Sequence, residues 1–530
     1  MKKVALRKDS YFDSVFLMSL SKKLKESGGA RDAVVAMGTP MNLELLANQG
    51  YAESELAGAG PNDLVMAVDC EDAASVAAAL EAALELLKRK ATRPSGAARE
   101  PASLAAALAE LPDANIAVIS LPGAYAAREV RKALDSGLHV MLFSDNVSLE
   151  DEIALKRLGK SKGLFVMGPD CGTAIINGMP LCFANVVRRG GVGIVAASGT
   201  GLQEVSCLVD RFGAGVSQAI GTGGRDLKNA KVGGITMLMG IEALSRDEAT
   251  KVIVIVSKPP AQEMAAAVLS ALGESGKPSV AHFVGLDPKS VAAPPSVRIA
   301  GSLEETAALA ASLAGMSEEA ARSLEAEAGE DAIESLAARE AGRLAPGQLY
   351  LRGYYTGGTV ADEALLLLHR RIGRVFSNNQ TDPSFLLADP RKSVEHTIVD
   401  LGDDVFTVGK PHPMIDPSGR NERVLAEAGD ATVAVVLVDV VLGYGSHPDP
   451  AGALVPALLE ARRAAAARGG YLAVVASVIG TPGDFQGLAA QRKALEDSGC
   501  IVMPSNYRAA MLVARIVELA AQTRRGGGAR

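Results

Sequence analysis

The chain has no tryptophan and only 4% aromatic residues among its 530, so large rings cannot fill its interior and Ala, Val, Leu and Ile must. Its five cysteines, Cys70, Cys171, Cys182, Cys207 and Cys500, are odd in number and include no C-x-x-C pair. That excludes a disulfide framework, indicates no metal site, and fits a reducing cytoplasm. No run approaches the roughly 18 apolar residues of a membrane span. The basic opening MKKVALRKDSYFDSVFLM is interrupted by Lys, Asp and Ser before it reaches signal-peptide length, so a soluble, unexported cytoplasmic protein without a membrane partner is expected. Lys and Arg total 54 against 61 Asp and Glu, a net charge of −7, which offers no footprint for nucleic acid. Neither a G-x-x-x-x-G-K-[ST] loop nor a dinucleotide fingerprint occurs, so those motifs support neither ATP nor a nicotinamide cofactor.

What the chain does have is glycine, 55 residues of it, in a sequence that is 48% hydrophobic, a composition suited to alternating strands and helices joined by tight turns. Its length exceeds one hydrophobic core and predicts roughly three to four domains. Residues 1–92 read as a small β-α-β-like domain, with strands in DAVVAMGTP and DLVMAVDC and a helix in AASVAAALEAALELLKRK. A linker rich in Pro, Ser and Gly follows between Ala91 and Ser103. A βαβ unit opens the next domain at ANIAVISLPGAYAAREVRKALDSGLHVMLFSDN. Residues 315–346, charged and alanine-rich without a sustained apolar stripe, are expected to form an exposed, solvated helical linker.

The stretch VGIVAASGTGLQEVSCLVDRFG runs a buried strand into Ser198, Gly199, Thr200 and Gly201 and then into a helix, a turn that points backbone N–H groups at an anion or merely feeds a crossover helix. It recurs. Gly199, Thr200 and Glu204 are answered by Gly358, Thr359 and Glu363 at one offset, and KVIVIVSKPP and KPSVAHFVGLDP by VAVVLVDVVLG and GYLAVVASVIGTP. Chance rarely aligns a turn, a helix and two later strands, so the chain contains two related α/β domains.

Ligands of open parallel sheets sit beyond the carboxyl ends of the strands, which singles out Asp145 and Asn146; Gly168, Pro169 and Asp170; Gly223 and Gly224; and Ser257 and Lys258. Arg225 is suited to clamp a carboxylate or phosphate in its fork, with Asp226 to orient it, or else to a surface ion pair. Cys171, with no histidine near it in sequence, reads as packing. In IVDLGDDVFTVGKPHPMIDPSGRNERV, Asp400, Asp403, Asp404, His412, Asp416 and Arg420 crowd together. This set suits acid–base work or metal ligation, and its Gly-Asp-Asp, Pro-His-Pro and Asp-Pro-Ser-Gly runs are equally good turn formers. Because several unpaired buried carboxylates are costly, the cluster is expected on a hydrated edge or cleft. His447, in GYGSHPDP, falls on the same ligand-facing edge.

These motifs, with SVFLMSLSKKL, MGTPMNLELL, VMLFSDNVSLEDEIALK, VMGPDCGT, FANV, AIGTGGRDL and DPAGALV, resemble over nearly the whole chain the FdrA family, proteins similar to the succinyl-CoA synthetase alpha subunit. The resemblance implies an α/β fold with a Rossmann-like CoA-binding domain at 104–186 and two flavodoxin-like ligase-CoA domains at 190–314 and 347–523. It implies phosphate or CoA contacts at Ser198, Gly199, Thr200 and Gly201 and near Gly168–Gly172, with CoA or another phosphate-containing ligand as cofactor. One departure is large. The Gly-His-Ala-Gly-Ala loop that carries the phosphohistidine of those ligases has no counterpart, since KSVAAPPSVRIAGS holds no histidine and His282 falls inside an apolar strand. The resemblance therefore implies a subunit for carbamoyl transfer of the oxamate carbamoyltransferase type, in allantoin breakdown, with carbamoyl phosphate, oxamate or an acyl-CoA as small anionic substrate. Arg225, Asp403 and His412 are its candidate catalytic residues, and homo-oligomers or hetero-oligomers with other pathway subunits are expected. An acyl-CoA ligase and a non-catalytic scaffold subunit are the alternatives.

Overall fold

The computed structural model describes residues 1–530 apart from 11, 13, 28–29, 92–100, 102, 318, 408–409 and 528–530. The Ala91–Ser103 linker thus lies largely outside the described residues. The chain divides into two compact units, one of residues 1–102 with 404–411, the other of 103–403 with 412–530.

In the first unit, β1 (Lys2–Arg7), β2 (Asp32–Met37) and β3 (Leu64–Asp69) form a sheet in the order β1-β3-β2. The two expected strands and the helix Ala73–Ala91 are present. The structure departs from the β-α-β reading in two ways: both pairings are antiparallel, and the basic opening is itself a strand. Its exposed lysines suit an unpaired sheet edge, where charge discourages further strand addition.

The second unit begins with a parallel sheet of β4 (Ile116–Ile119), β5 (His139–Leu142) and β6 (Val166–Met167), with the helices Gly123–Asp135 and Leu149–Lys162 as crossovers. The hairpin β7 (Thr173–Ile176) and β8 (Met179–Cys182) leaves this sheet and borders the next one, pairing antiparallel with β10. That next sheet contains β9 (Arg189–Ala197), β10 (Val216–Gly221), β11 (Val252–Ser257), β12 (Ser279–Phe283) and β13 (Val297–Ile299), all parallel. The last sheet comprises β14 (Tyr350–Tyr355), β15 (Val375–Ser377), β16 (His396–Asp400), β17 (Val433–Val441), β18 (Ala473–Ile479) and β19 (Ile501–Met503).

The strand orders establish the repeat. One sheet runs β13-β12-β11-β9-β10 and the other β19-β18-β17-β14-β16, with β15 beyond. Each is the doubly wound, flavodoxin-like order, whose direction reverses beside the first strand and opens a crevice there. β11 and β17 are buried along their whole lengths, as parallel strands covered on both faces must be.

The repeats share one apolar core in which Leu202 and Val205 of the first lie with Val360 and Leu365 of the second. They are also tied reciprocally. Glu204, on the first helix of the first repeat (Gly199–Arg211), accepts the N–H of Asn506 at 2.9 Å, at the start of the second repeat's last helix (Asn506–Gly527). Glu363, on the matching helix Gly358–Ile372, accepts the N–H of Leu303 at 2.8 Å, at the start of the first repeat's last helix (Leu303–Leu313). Ser302 and Ser505 cap these last helices through the N–H groups of Glu305 and Arg508.

The segment between the repeats corrects an expectation. The helices Glu319–Ala328 and Glu330–Ala341 bury Leu324, Ala328, Ile333 and Ala337 in the shared core, and Arg508 and Arg515 of the last helix pair with Glu325 and Glu334. Alanine supplies half of the buried stripe, and its weak hydropathy hides the pattern among the charged exposed residues.

Candidate functional site

Strand β9 ends at Ala197, and Ser198 caps the following helix by accepting the N–H of Gly201 at 3.0 Å. The equivalent turn of the second repeat, Thr356–Thr359, lies directly against it. Ser198 donates to Thr359 Oγ1 at 2.8 Å, and the N–H of Thr359 donates to Thr200 Oγ1 at 3.2 Å. The first helices of both repeats therefore start side by side, and their dipoles make this spot positive. Glycine is required for the approach: a Cβ on Gly201 would collide with Ser198 Oγ, and one on Gly357 would stand 2.6 Å from Thr200 Cγ2. A Cβ on Gly199 would meet nothing closer than Thr173 Oγ1 at 3.6 Å, so that face of the turn is open.

The two turns differ in what their N–H groups already hold. Asp439, buried within β17, accepts from Thr356 N at 2.8 Å, Thr356 Oγ1 at 3.0 Å and Gly357 N at 2.9 Å, with the fully buried Arg420 as counter-ion. No acceptor among the described residues engages the N–H groups of Gly199 and Thr200.

Lys258 reaches the same place from the end of β11 and pairs with Asp362 of the second repeat at 2.8 Å. Burial pulls its ammonium down, but Asp362, Asp400 and Asp170 outweigh that and hold it above its ordinary value. Asp400, at the end of β16, accepts from Asn379 Nδ2 at 2.9 Å and Gly402 N at 2.9 Å. Burial pushes its carboxyl up to about 6, with Lys258 opposing and Asp362 adding to the rise. A Cβ on Gly358 would stand 2.6 Å from Asp400 Oδ2 and 3.4 Å from Lys258 Nζ, which places both charges at the start of the second repeat's first helix.

His412 flanks Asp400 on its other side, its ring in tilted contact with Phe183 at 5.4 Å between centroids, and Phe183 in turn with Phe143, just past β5, at 5.6 Å. Burial pulls its imidazole down to about 4. The carboxyl ends of β5, β9, β11, β14 and β16 thus converge on one region.

The remaining candidates divide. Ser257 spends its hydroxyl on the carbonyl of Lys258 at 2.6 Å. Gly168 and Gly223 adopt positive φ, and a Cβ on either would strike backbone, of Leu142 and Pro169 respectively; their conformation serves the close packing of strand ends. Asp145, Asn146, Asp170 and Gly224 are exposed at that edge. Arg225 pairs with the buried Glu152 at 2.8 Å and donates to Val147 O at 2.8 Å, so much of its fork joins the CoA-binding-type layer to the first repeat. Asp226 does not orient Arg225. It is fully buried and accepts from Lys156 at 2.6 Å, Thr236 N at 3.3 Å and Met237 N at 2.9 Å. Asp403 follows Gly402, half-buried.

Against the expectation of a hydrated edge or cleft, the acidic cluster is partly buried. Asp400 and Arg420 are buried, each with a counter-charge, whereas Asp404 is exposed. Cys171 is buried, and desolvation raises its thiol to about 12, which leaves it inert. Asp362, Asn379 and Asp439 are not marked out as site residues by any sequence motif. Their partners lie on other strands, and the one local signal is their position at or near a strand end or in the first turn of the repeated helix.

Residues 354–516 match the CoA-ligase family, and residues 1–103 match the family described as AllF, heavy metal-associated domain. Residues 1–103 hold one cysteine, the buried Cys70, and no histidine, so this segment offers no cysteine pair or Cys–His set for a soft metal ion. The chain is 44% identical to the YahF protein of Escherichia coli K12 over 97% of its own length and 98% of that protein. It is 28% identical to the alpha subunit 2 of the ADP-forming succinate–CoA ligase of Archaeoglobus fulgidus, over 36% of this chain and 66% of that one. Among solved structures, ATP citrate lyase from Methanothrix soehngenii aligns over 81% of this chain and 86% of its own at 13% identity, with a TM-score of 0.35. No described helix is long and apolar enough to cross a membrane.

Proposed function

From the premise that this chain belongs to one family with YahF, on a CoA-ligase-like scaffold related to the succinyl-CoA synthetase alpha subunit, we propose that it is an FdrA-type subunit that moves a carbamoyl group between oxamate and phosphate. The observation that carries this reading is the joined turn of Ser198 and Thr359, open at Gly199 and flanked by Lys258, in a chain without a phosphohistidine loop. His282 does not replace the missing loop. It is buried in β12 with Nδ1 held by Ala300 O at 2.9 Å.

Carbamoyl transfer to phosphate needs no phosphoenzyme. A phosphate oxygen attacks the ureido carbon of oxalurate and the C–N bond breaks. Oxamate leaves with the proton that phosphate gives up, and carbamoyl phosphate forms. In this reading the N–H groups of Gly199 and Thr200, the Thr359 hydroxyl, which Ser198 orients by donating to it, and Lys258 hold and orient the phosphate, so its attack pays no entropy of encounter. Thr359 reaches the anion from the second repeat, whose own turn is occupied by Asp439. The exposed Asp145, Asn146 and Asp170, with the buried Gly168 and Pro169 behind them, are the part of the scaffold assigned to CoA or another elongated ligand.

The test is to incubate the purified chain, alone and with its co-purifying subunits, with oxalurate and phosphate. Carbamoyl phosphate should form, and labelled ATP should leave no acid-labile phosphate on the chain. A stable phosphohistidine, or acyl-CoA formation driven by a nucleoside triphosphate, would instead establish the ligase reading that the CoA-ligase match favours.

A further inference from the structure

We propose that His412 is a fixed, uncharged hydrogen-bond donor that holds the carbonyl oxygen of the transferred group through Nε2–H, an inference that rests on the carbamoyl-transfer reading. The backbone N–H of Met414 donates to His412 Nδ1 at 3.2 Å. A ring nitrogen that accepts carries no proton, so the single proton of the neutral imidazole lies on Nε2. The ring is hemmed in by Phe183, tilted against it at 5.4 Å between centroids and itself backed by Phe143.

Nε2 donates to no acceptor among the described residues. It lies at the site. A Cβ built on Gly402 would stand 2.9 Å from His412 Nε2, 3.1 Å from Asp400 Oδ1 and 3.2 Å from Thr356 O. The other oxygen of Asp400 faces Gly358 and Lys258. A substrate anchored by its phosphate end at the joined turns and extending past Asp400 therefore brings its carbonyl toward Nε2–H.

Among the described residues, the Asp400 carboxyl lies beside the imidazole, with the Asp362–Lys258 pair beyond it. Burial lowers the imidazole to about 4, which keeps the ring uncharged at neutral pH. As phosphate oxygen bonds to the ureido carbon, the C=O electron pair moves onto oxygen. That oxyanion is held by Nε2–H, and its collapse expels the oxamate nitrogen. His412 keeps its proton throughout, so it acts neither as base nor as phosphoryl acceptor.

Two measurements test this. Nitrogen-15 NMR of the histidine-labelled full chain, with His412 assigned by comparison with His412→Gln, should show an Nε2–H tautomer unchanged between pH 5.5 and 8. An Nδ1–H tautomer, or titration of the ring near its ordinary value, overturns the inference whether or not the chain turns over. With oxalurate and phosphate, His412→Ala should lower kcat by on the order of a hundredfold, the loss seen when one oxyanion donor is removed. KM for phosphate should change by less than about twofold, and the wild-type pH profile should show no imidazole limb. A loss confined to KM overturns the donor role. His412→Gln, with an amide donor on a similar reach, should regain part of kcat; if Ala and Gln are equally impaired while both remain folded, the donor role is again refuted. Absence of turnover with oxalurate in the wild type would instead refute the carbamoyl reading, and the NMR tautomer would still be decided.

Discussion

Gly199 and Gly201 stand two residues apart in one turn and answer to different demands. At Gly201 a Cβ would meet Ser198, Thr359 and Val256 together, whereas at Gly199 the nearest atom is 3.6 Å away. Gly199→Val should therefore leave thermal unfolding nearly unchanged and abolish most phosphate affinity, read by isothermal titration; unchanged affinity would move the anion elsewhere. Gly201→Val should lower the unfolding temperature itself, since overpacking at a closed contact costs about 1–3 kcal/mol. Lys258→Gln removes the cation that faces the site while leaving Asp362 in place. Loss of a charge-assisted contact worth about 1.5–3 kcal/mol should weaken phosphate binding by roughly tenfold or more. The same scale explains the two His-Pro segments: His412 and His447 each accept, through Nδ1, the N–H two residues on, a local bond that the sequence pattern His-Pro-x already suggests.

At the scale of elements, the two last helices are capped by carboxyls that belong to the opposite repeat. Desolvation raises Glu204 to about 8 and Glu363 to about 7, with neighbouring carboxyls adding to both shifts while the backbone bonds from Asn506 and Leu303 oppose them. Groups whose carboxyls are raised on folding bind more protons folded than unfolded, so their contribution to stability is complete below the unfolded value of 4.5 and is lost as pH rises through 7 and 8. Urea midpoints should accordingly fall between about pH 6 and pH 8.5. Glu204→Gln with Glu363→Gln, which keeps an acceptor oxygen at each cap, should flatten that fall. An unaltered slope in the double variant would assign the protons to other groups.

For the whole molecule, the decisive feature is that neither repeat supplies all the residues of the proposed site. Ser198, Gly199, Thr200 and Lys258 come from the first, and Thr359, Asp362, Asp400 and His412 from the second. Thr359→Val, a change in the second repeat, should weaken phosphate binding at the first repeat's turn by about fivefold, the equivalent of one neutral hydrogen bond of about 1 kcal/mol. Calorimetric titration with phosphate reads this directly, and equal affinity in the variant would reduce the second repeat to support. The shared core predicts that the two repeats lose structure together. Their packed helices Glu319–Ala328 and Glu330–Ala341 should resist limited proteolysis as well as the strands do, against the expectation of a solvated spacer.

By itself the sequence determined the alternation of strands and helices, the repeat, the turn at Ser198 and its counterpart at Thr359, and the burial of Cys171 and His282. Each is written in local spacing, since apolar runs, glycine turns and helix caps act within a few residues. Only the tertiary structure decided how each polar side chain is engaged. Arg225 and Asp226 are adjacent in sequence, yet one answers Glu152 and the other Lys156. Asp439 is a single carboxylate in an otherwise apolar strand, and it acquires meaning only through Thr356, Gly357 and Arg420. Lys258 and Asp362 meet because two sheets face each other across their carboxyl ends. Charges are paired by distance in space, with desolvation setting the penalty for any left alone, and one-dimensional spacing carries no record of that distance.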